Sequence, residues 1–174
     1  KQMIADATDL QLIKDATYDF VLSSNNLEHI ANPMKAISEF VRILKKDGLI
    51  IILVPCKDYT FDHERAYTTF EHILDDYKKD VLEDDLTHLE EILEKHDLEL
   101  DYQAGTKDKF RTRSKNNFKN RCLHHHVFHN ELLADIASYF DLEIIENTIF
   151  CRNYYLVARK GKCRGETLMY LSNL

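Results

Sequence analysis

Apolar positions change their spacing twice between Tyr18 and Pro55, in the stretch YDFVLSSNNLEHIANPMKAISEFVRILKKDGLIIILVP. Tyr18 to Leu22 is a short apolar run without clean alternation, closed by Ser23 and Ser24, and it predicts a strand covered on both faces. Met34, Ile37, Phe40, Val41 and Leu44 then recur at helical spacing and predict one apolar helix face. Asn32 is placed to cap that helix, Pro33 suits its first position, and Gly48 suits the left-handed residue that ends it. Lys45 and Lys46 fall in the expected last turn, where cations favour the helix dipole. Leu49 to Val54 is an aliphatic run too short for an ordinary helix, and Pro55 closes it. A strand, a crossover helix and a strand in this order form a parallel, right-handed unit. Ligands in such sheets sit at the carboxyl ends of the strands, so Ser23–His29 and Pro55–Asp62 share one rim.

The pattern loosens after Pro55. Residues 56–129 read as a polar, largely helical insertion. Thr68 with Glu71 and Thr87 with Glu90 form two candidate capping boxes. Phe70, Ile73, Leu74, Tyr77 and Val81 make one stripe beyond the first, and Leu86, Leu89, Ile92 and Leu93 surround the second. Asp75 to Asp101 is dominated by acidic residues, whereas Lys107 to Arg121 is basic. Such blocks form solvated faces, pair with one another, or meet an anionic acceptor. Asn130 is placed to cap a helix through Phe140, and Leu142–Ile149 and Tyr154–Arg159 read as a closing hairpin. Lys1–Ala5 reads as the tail of a strand, and Thr167–Leu171 as a short turn or strand.

Composition narrows the classes. The 174 residues suffice for one domain, taken as 1–174 with the insertion at 56–129. A net charge of -7 argues against a general nucleic-acid binder. The longest apolar run, Leu49–Val54, is far short of a membrane span. Cys56, Cys122, Cys151 and Cys163 form no CxxC pair and read as reduced thiols of a cytoplasmic protein. None of the four glycines forms a GxGxxG-type loop.

Histidine is the residue most suggestive of chemistry, with nine in the chain. His29 ends the rim loop, where a base with a near-neutral pKa could take a proton from a hydroxyl. His63, His124 and His126 lie in or at the end of the insertion. In an extended backbone His124 and His126 point the same way. With Asp62 or His63 they could hold a divalent ion or hydrogen-bond a polyhydroxylated substrate. No zinc-like spacing fixes the former, and no metal is assigned.

Asp19, Val21, His29, Arg42, Leu44, Lys45 and Gly48 carry a resemblance. The stretch is similar to the second half of a class I S-adenosylmethionine-dependent methyltransferase domain of the type 11-like group, with Lys46-Asp47 where that family usually has Pro-Gly. The resemblance implies a partial Rossmann-like α/β sheet, parallel strands plus a C-terminal antiparallel hairpin, with a helical insertion. It implies S-adenosyl-L-methionine as cofactor, touched by Asp6, Ala7, Ser23 and Ser24. Asn26 and His29 would lie near the transferred methyl. His29 and His63 are the candidates for catalysis, and Asn26, His124 and His126 for acceptor binding. The acceptor would be a small polar molecule, such as a hydroxyl of a sugar or glycan precursor. It also implies a glycine-rich half N-terminal to Lys1, so the 174 residues alone are expected to be inactive. The Tyr18 strand would then have a free apolar edge suited to homo-oligomer formation. The alternatives are a non-catalytic methyltransferase-like interaction module and a metal enzyme built on the histidines.

Overall fold

The computed structural model describes residues 3–161. Lys1, Gln2 and the Thr167–Leu171 segment lie outside the described residues, and Met3–Ala5 form no strand. The centre is β1 (Tyr18–Ser24), α1 (Pro33–Ile43) and β2 (Leu44–Pro55). β1 and β2 are parallel, with Val21 opposite Ile50 and Ser23 opposite Ile52. β3 (Leu142–Phe150) and β4 (Asn153–Lys160) form an antiparallel hairpin, and β4 also runs antiparallel to β2. The strand order is β1-β2-β4-β3, the α/β class and mixed sheet expected from the sequence.

The start of α1 follows its sequence signal: Oδ1 of Asn32 accepts from the Lys35 amide at 3.0 Å, and Pro33 opens the helix. Its end does not. The chain leaves the helix at Ile43, so Lys45 and Lys46 lie in β2, and the left-handed residue is Asp47 (φ 63°) rather than Gly48. Gly48 serves space instead. A Cβ there would lie 2.9 Å from the Lys45 carbonyl oxygen and 3.1 Å from that of Asp19.

Burial along β2 alternates, with Ile50, Ile52 and Val54 buried and Leu49, Ile51 and Leu53 half-buried. The buried face joins Met34, Ile37 and Phe40 of α1, Ile73 of α2 (Phe70–Lys78), Leu133 and Ile136 of α6 (Asn130–Tyr139), and Leu156 and Ala158 of β4 in one core. On the opposite face Phe20 and Leu22 are 61% and 58% exposed. The expectation of a doubly covered first strand is therefore corrected. Among the described residues the helices of that core gather on one side of the sheet, and β1 has no strand on its outer edge.

Residues 56–129 hold α2, α3 (Leu89–Lys95), α4 (Lys107–Lys115) and α5 (Asn117–Asn120). Leu89, Ile92, Ala104, Phe110 and Leu123 form a small core of their own. The predicted capping boxes are displaced. Thr69, not Thr68, caps α2 through the His72 amide, because the Thr68 hydroxyl accepts from the Val127 amide. The Thr87 hydroxyl is held by Asp85, and His88 precedes α3 without a side-chain cap. Likewise Asn130 is the first residue of α6 rather than its cap. The acidic and basic blocks do meet: Arg113 lies 3.2 Å from Asp101, Arg111 3.9 Å from Glu90, and Arg121 2.6 Å from Glu83. No helix among the described residues is long and apolar enough to cross a membrane.

Candidate functional site

The carboxyl end of β1 opens onto a cleft of about 410 Å³ lined by Ala5, Ala7, Leu10, Val21, Leu22, Ser23, Ser24, Asn26 and Phe40. The cleft lies where ligands bind in open α/β sheets, and its volume falls in the range of small-molecule sites. Ser23 is buried, and its hydroxyl has no partner. An unpaired buried hydroxyl costs about 1–3 kcal/mol, so this one is suited to a ligand's polar atom. Ser24 bonds Asn25, whose side chain reaches Asn153 on β4 at 3.2 Å. Asn25 itself adopts φ 47°, and its amide donates to Leu53, which turns the chain sharply off the strand.

Four of the sequence-predicted residues, Ala7, Ser23, Ser24 and Asn26, thus share one cleft. Asp6 is placed differently. Its Oδ1 accepts from the Thr8 amide (3.0 Å) and hydroxyl (2.8 Å), and its Oδ2 accepts from Arg121 at 3.1 Å. Partial burial alone would raise this carboxyl, but Thr8 and Arg121 hold it below its ordinary value. The acidic turn that Asp and Thr favour by themselves is therefore present. The loop is clamped to α1 by Arg42, which donates to the carbonyls of Leu10 and Ile13 at 2.9 Å and pairs with Asp15 and Glu39.

The histidines gather elsewhere. His29 does not line the cleft; its Nδ1 lies 3.1 Å from the Leu123 carbonyl, and its ring meets His124 edge-on at 4.6 Å. Burial, followed by the neighbouring His124, pushes its pKa down to about 4. His29 is therefore neutral at pH 7 and a weaker base than the near-neutral one the sequence suggested. His124 bonds Asp62 through Nδ1 at 2.5 Å. His63 is apart from both, with Nε2 3.0 Å from Asp97. His126 is buried, with Nε2 3.1 Å from the Ala31 carbonyl. Both His124 and His126 border a cavity with Glu28, Lys57 and Asp62, but its volume is only about 10 Å³. That is room for about one water, so the two histidines share a cavity that has no space for a sugar.

Residues 1–52 match the family model described as a methyltransferase domain. This stretch, under a third of the chain, is similar to that domain family. An uncharacterized protein of Methanocaldococcus jannaschii is 47% identical over 51 residues, which are 29% of this chain and 22% of that protein. The chain thus spans about a fifth of the length of its curated relative. Among solved structures, an S-adenosylmethionine-dependent methyltransferase of Methanosarcina mazei has TM-score 0.46 and 13% identity, covering 92% of this chain and 66% of that one. The CurJ carbon methyltransferase has TM-score 0.44 and 12% identity, covering 91% of this chain and 34% of that one. The methyltransferase match contains β1, α1 and all but the last residues of β2, together with every residue lining the cleft.

Sequence reasoning missed two buried charges. Arg65 is 2% exposed and reaches Asp62 (3.1 Å), the His124 carbonyl (2.7 Å) and the His125 carbonyl (3.1 Å). Glu28 is equally buried, and burial raises its carboxyl above the ordinary range. A charged residue inside FDHER is no signal by itself. Only the distant HHH segment, folded against it, makes Arg65 a buried organiser.

Proposed function

We propose that this chain contributes the methyl-donor cleft of an S-adenosylmethionine-dependent methyltransferase. The observation that carries the proposal is the cleft at the carboxyl end of β1, where Ala7, an unpaired Ser23 hydroxyl, Ser24 and Asn26 meet an apolar wall of Leu10, Val21 and Phe40. These residues fit the group. The apolar wall suits an adenosyl moiety, Ala7 leaves room beside it, and Ser23 offers a buried hydrogen bond. Bound S-adenosylmethionine would supply an electrophilic methyl on a sulfonium. The chain's own contribution is then placement and exclusion of water, which dominate an in-line displacement. Asn26 would orient the acceptor from the rim. With its pKa near 4, His29 would position the rim loop through Leu123 and His124 rather than serve as a strong base.

The acceptor we propose is a small polar molecule bearing a hydroxyl, such as a sugar of a glycan precursor. A second cleft of about 420 Å³ supports a polar acceptor: Tyr67, His129, Asn130, Glu131, Ile149 and Tyr154 line it. The Tyr67 and Tyr154 hydroxyls are 2.9 Å apart, and Tyr67 stacks on His129. Calorimetric titration with S-adenosylhomocysteine tests the donor site. Binding that is lost in Ala7→Leu and weakened in Ser23→Ala supports the proposal. Absence of binding, or binding unchanged in both variants, rejects it.

A further inference from the structure

A cluster outside the cleft gathers three of the nine histidines. His72 and Asp76 stand one turn apart on α2, so their side chains share a face. His88 comes from the residue before α3, and His126 from the extended segment before α6. Nε2 of His72 lies 3.0 Å from Nε2 of His88 and 3.3 Å from Oδ2 of Asp76. Nε2 of His126 lies 3.8 Å from the same Oδ2. One ligand-type atom from each of the four residues falls within 4.8 Å of all the others.

These spacings are compatible with a metal centre. Ligand atoms at about 2.0–2.1 Å from a tetrahedral zinc are roughly 3.3–3.4 Å from each other. The observed separations straddle that value from both sides. Three imidazoles and one carboxylate are a ligand set that suits zinc, and a set of four leaves no open position, as in structural sites. His126 is 1% exposed, and the Nε2 that faces Asp76 now lies 3.1 Å from the Ala31 carbonyl. As a ligand through Nε2 it gives up the Ala31 contact and carries its proton on Nδ1.

We propose that His72, Asp76, His88 and His126 bind one divalent transition ion, zinc by the chemistry of the set, as a structural staple. The ion ties α2 and the start of α3 to the segment that threads back toward α6. Asn32, the cap of α1, already donates to the Asp76 carbonyl at 3.3 Å, so the staple also abuts the start of α1. The site is separate from the β1 cleft and does not rest on methyl transfer.

Cobalt titration of the chain, followed by zinc competition, tests it. One Co²⁺ per chain with the intense visible absorption of four-coordinate cobalt, bleached by equimolar Zn²⁺, is expected. His72→Ala and His88→Ala alter half-buried positions and should lose that absorption while keeping the circular dichroism of the parent; His63→Ala should keep the absorption. A readout without variants is the imidazole spectrum: Zn²⁺ should move the ring resonances of His72, His88 and His126 in the parent chain. No visible band at stoichiometric cobalt, a band retained in both ligand variants, or unmoved ring resonances would overturn the site.

Discussion

Replacing Arg65 with methionine removes the buried cation that joins the FDHER loop to the HHH segment. The side chain is 2% exposed and makes three hydrogen bonds, to Asp62, to the His124 carbonyl and to the His125 carbonyl, with Glu91 3.5 Å away. Methionine keeps the bulk but leaves the Asp62 carboxylate, 5% exposed, with His124 as its remaining partner. Breaking a buried pair from one side costs about 3–5 kcal/mol, because the surviving charge is uncompensated. Such a loss is a large part of the roughly 5–15 kcal/mol that holds a typical domain together. Urea unfolding followed by circular dichroism measures it. Asp62→Asn/Arg65→Met removes both charges and should be less destabilised than the sum of the single variants, with a coupling of about 0.5–3 kcal/mol. A single-variant loss under about 1 kcal/mol, the worth of a surface pair, or strict additivity would refute the role given to Arg65.

Stability should fall as pH drops from about 6.5 toward 4. His29 and His125 have their pKa lowered from 6.5 to about 4, chiefly by burial, so in that window the unfolded chain binds more protons than the folded one. A urea midpoint that is unchanged between pH 7 and pH 5 would contradict this. Arg42→Ala should speed amide exchange across residues 8–17 and weaken S-adenosylhomocysteine binding, since Arg42 holds Leu10 and Ile13 in place; unchanged exchange there would show that the loop holds itself. Phe20→Lys with Leu22→Lys should suppress concentration-dependent self-association in sedimentation, because both side chains lie exposed on an edge strand. Equal association of parent and variant would place any contact elsewhere.

The fold core was legible because its signals are local. Aliphatic runs, the Asn32 cap and Pro33 specify β1, α1 and β2 within a few dozen residues, and two runs with a short gap between them mark the closing hairpin. Coverage of the sheet was not legible. The run Tyr18–Leu22 has the same composition whether helices lie on one side or both, and only the three-dimensional gathering of α1, α2 and α6 decides. Gly48 shows a similar limit, since its value lies in two carbonyl oxygens, one of them from Asp19, 29 positions earlier. Strand direction placed Ser23–His29 at one rim, and the family resemblance singled out Ser23, Ser24 and Asn26 within it. The histidines could not be sorted that way. His72, His88 and His126 come from three separate segments, and their convergence depends on how residues 56–129 pack, which no short-range spacing encodes.

The cleft beyond β1 is proposed to receive an S-adenosyl ligand. The most direct measurement is nuclear magnetic resonance of the isotope-labelled chain during titration with S-adenosylhomocysteine. Saturable shifts confined to the amides of Ala7, Leu22, Ser23, Ser24 and Asn26 are expected. Shifts centred on Tyr67, His129 and Tyr154 instead, or none at saturating ligand, would contradict that proposal.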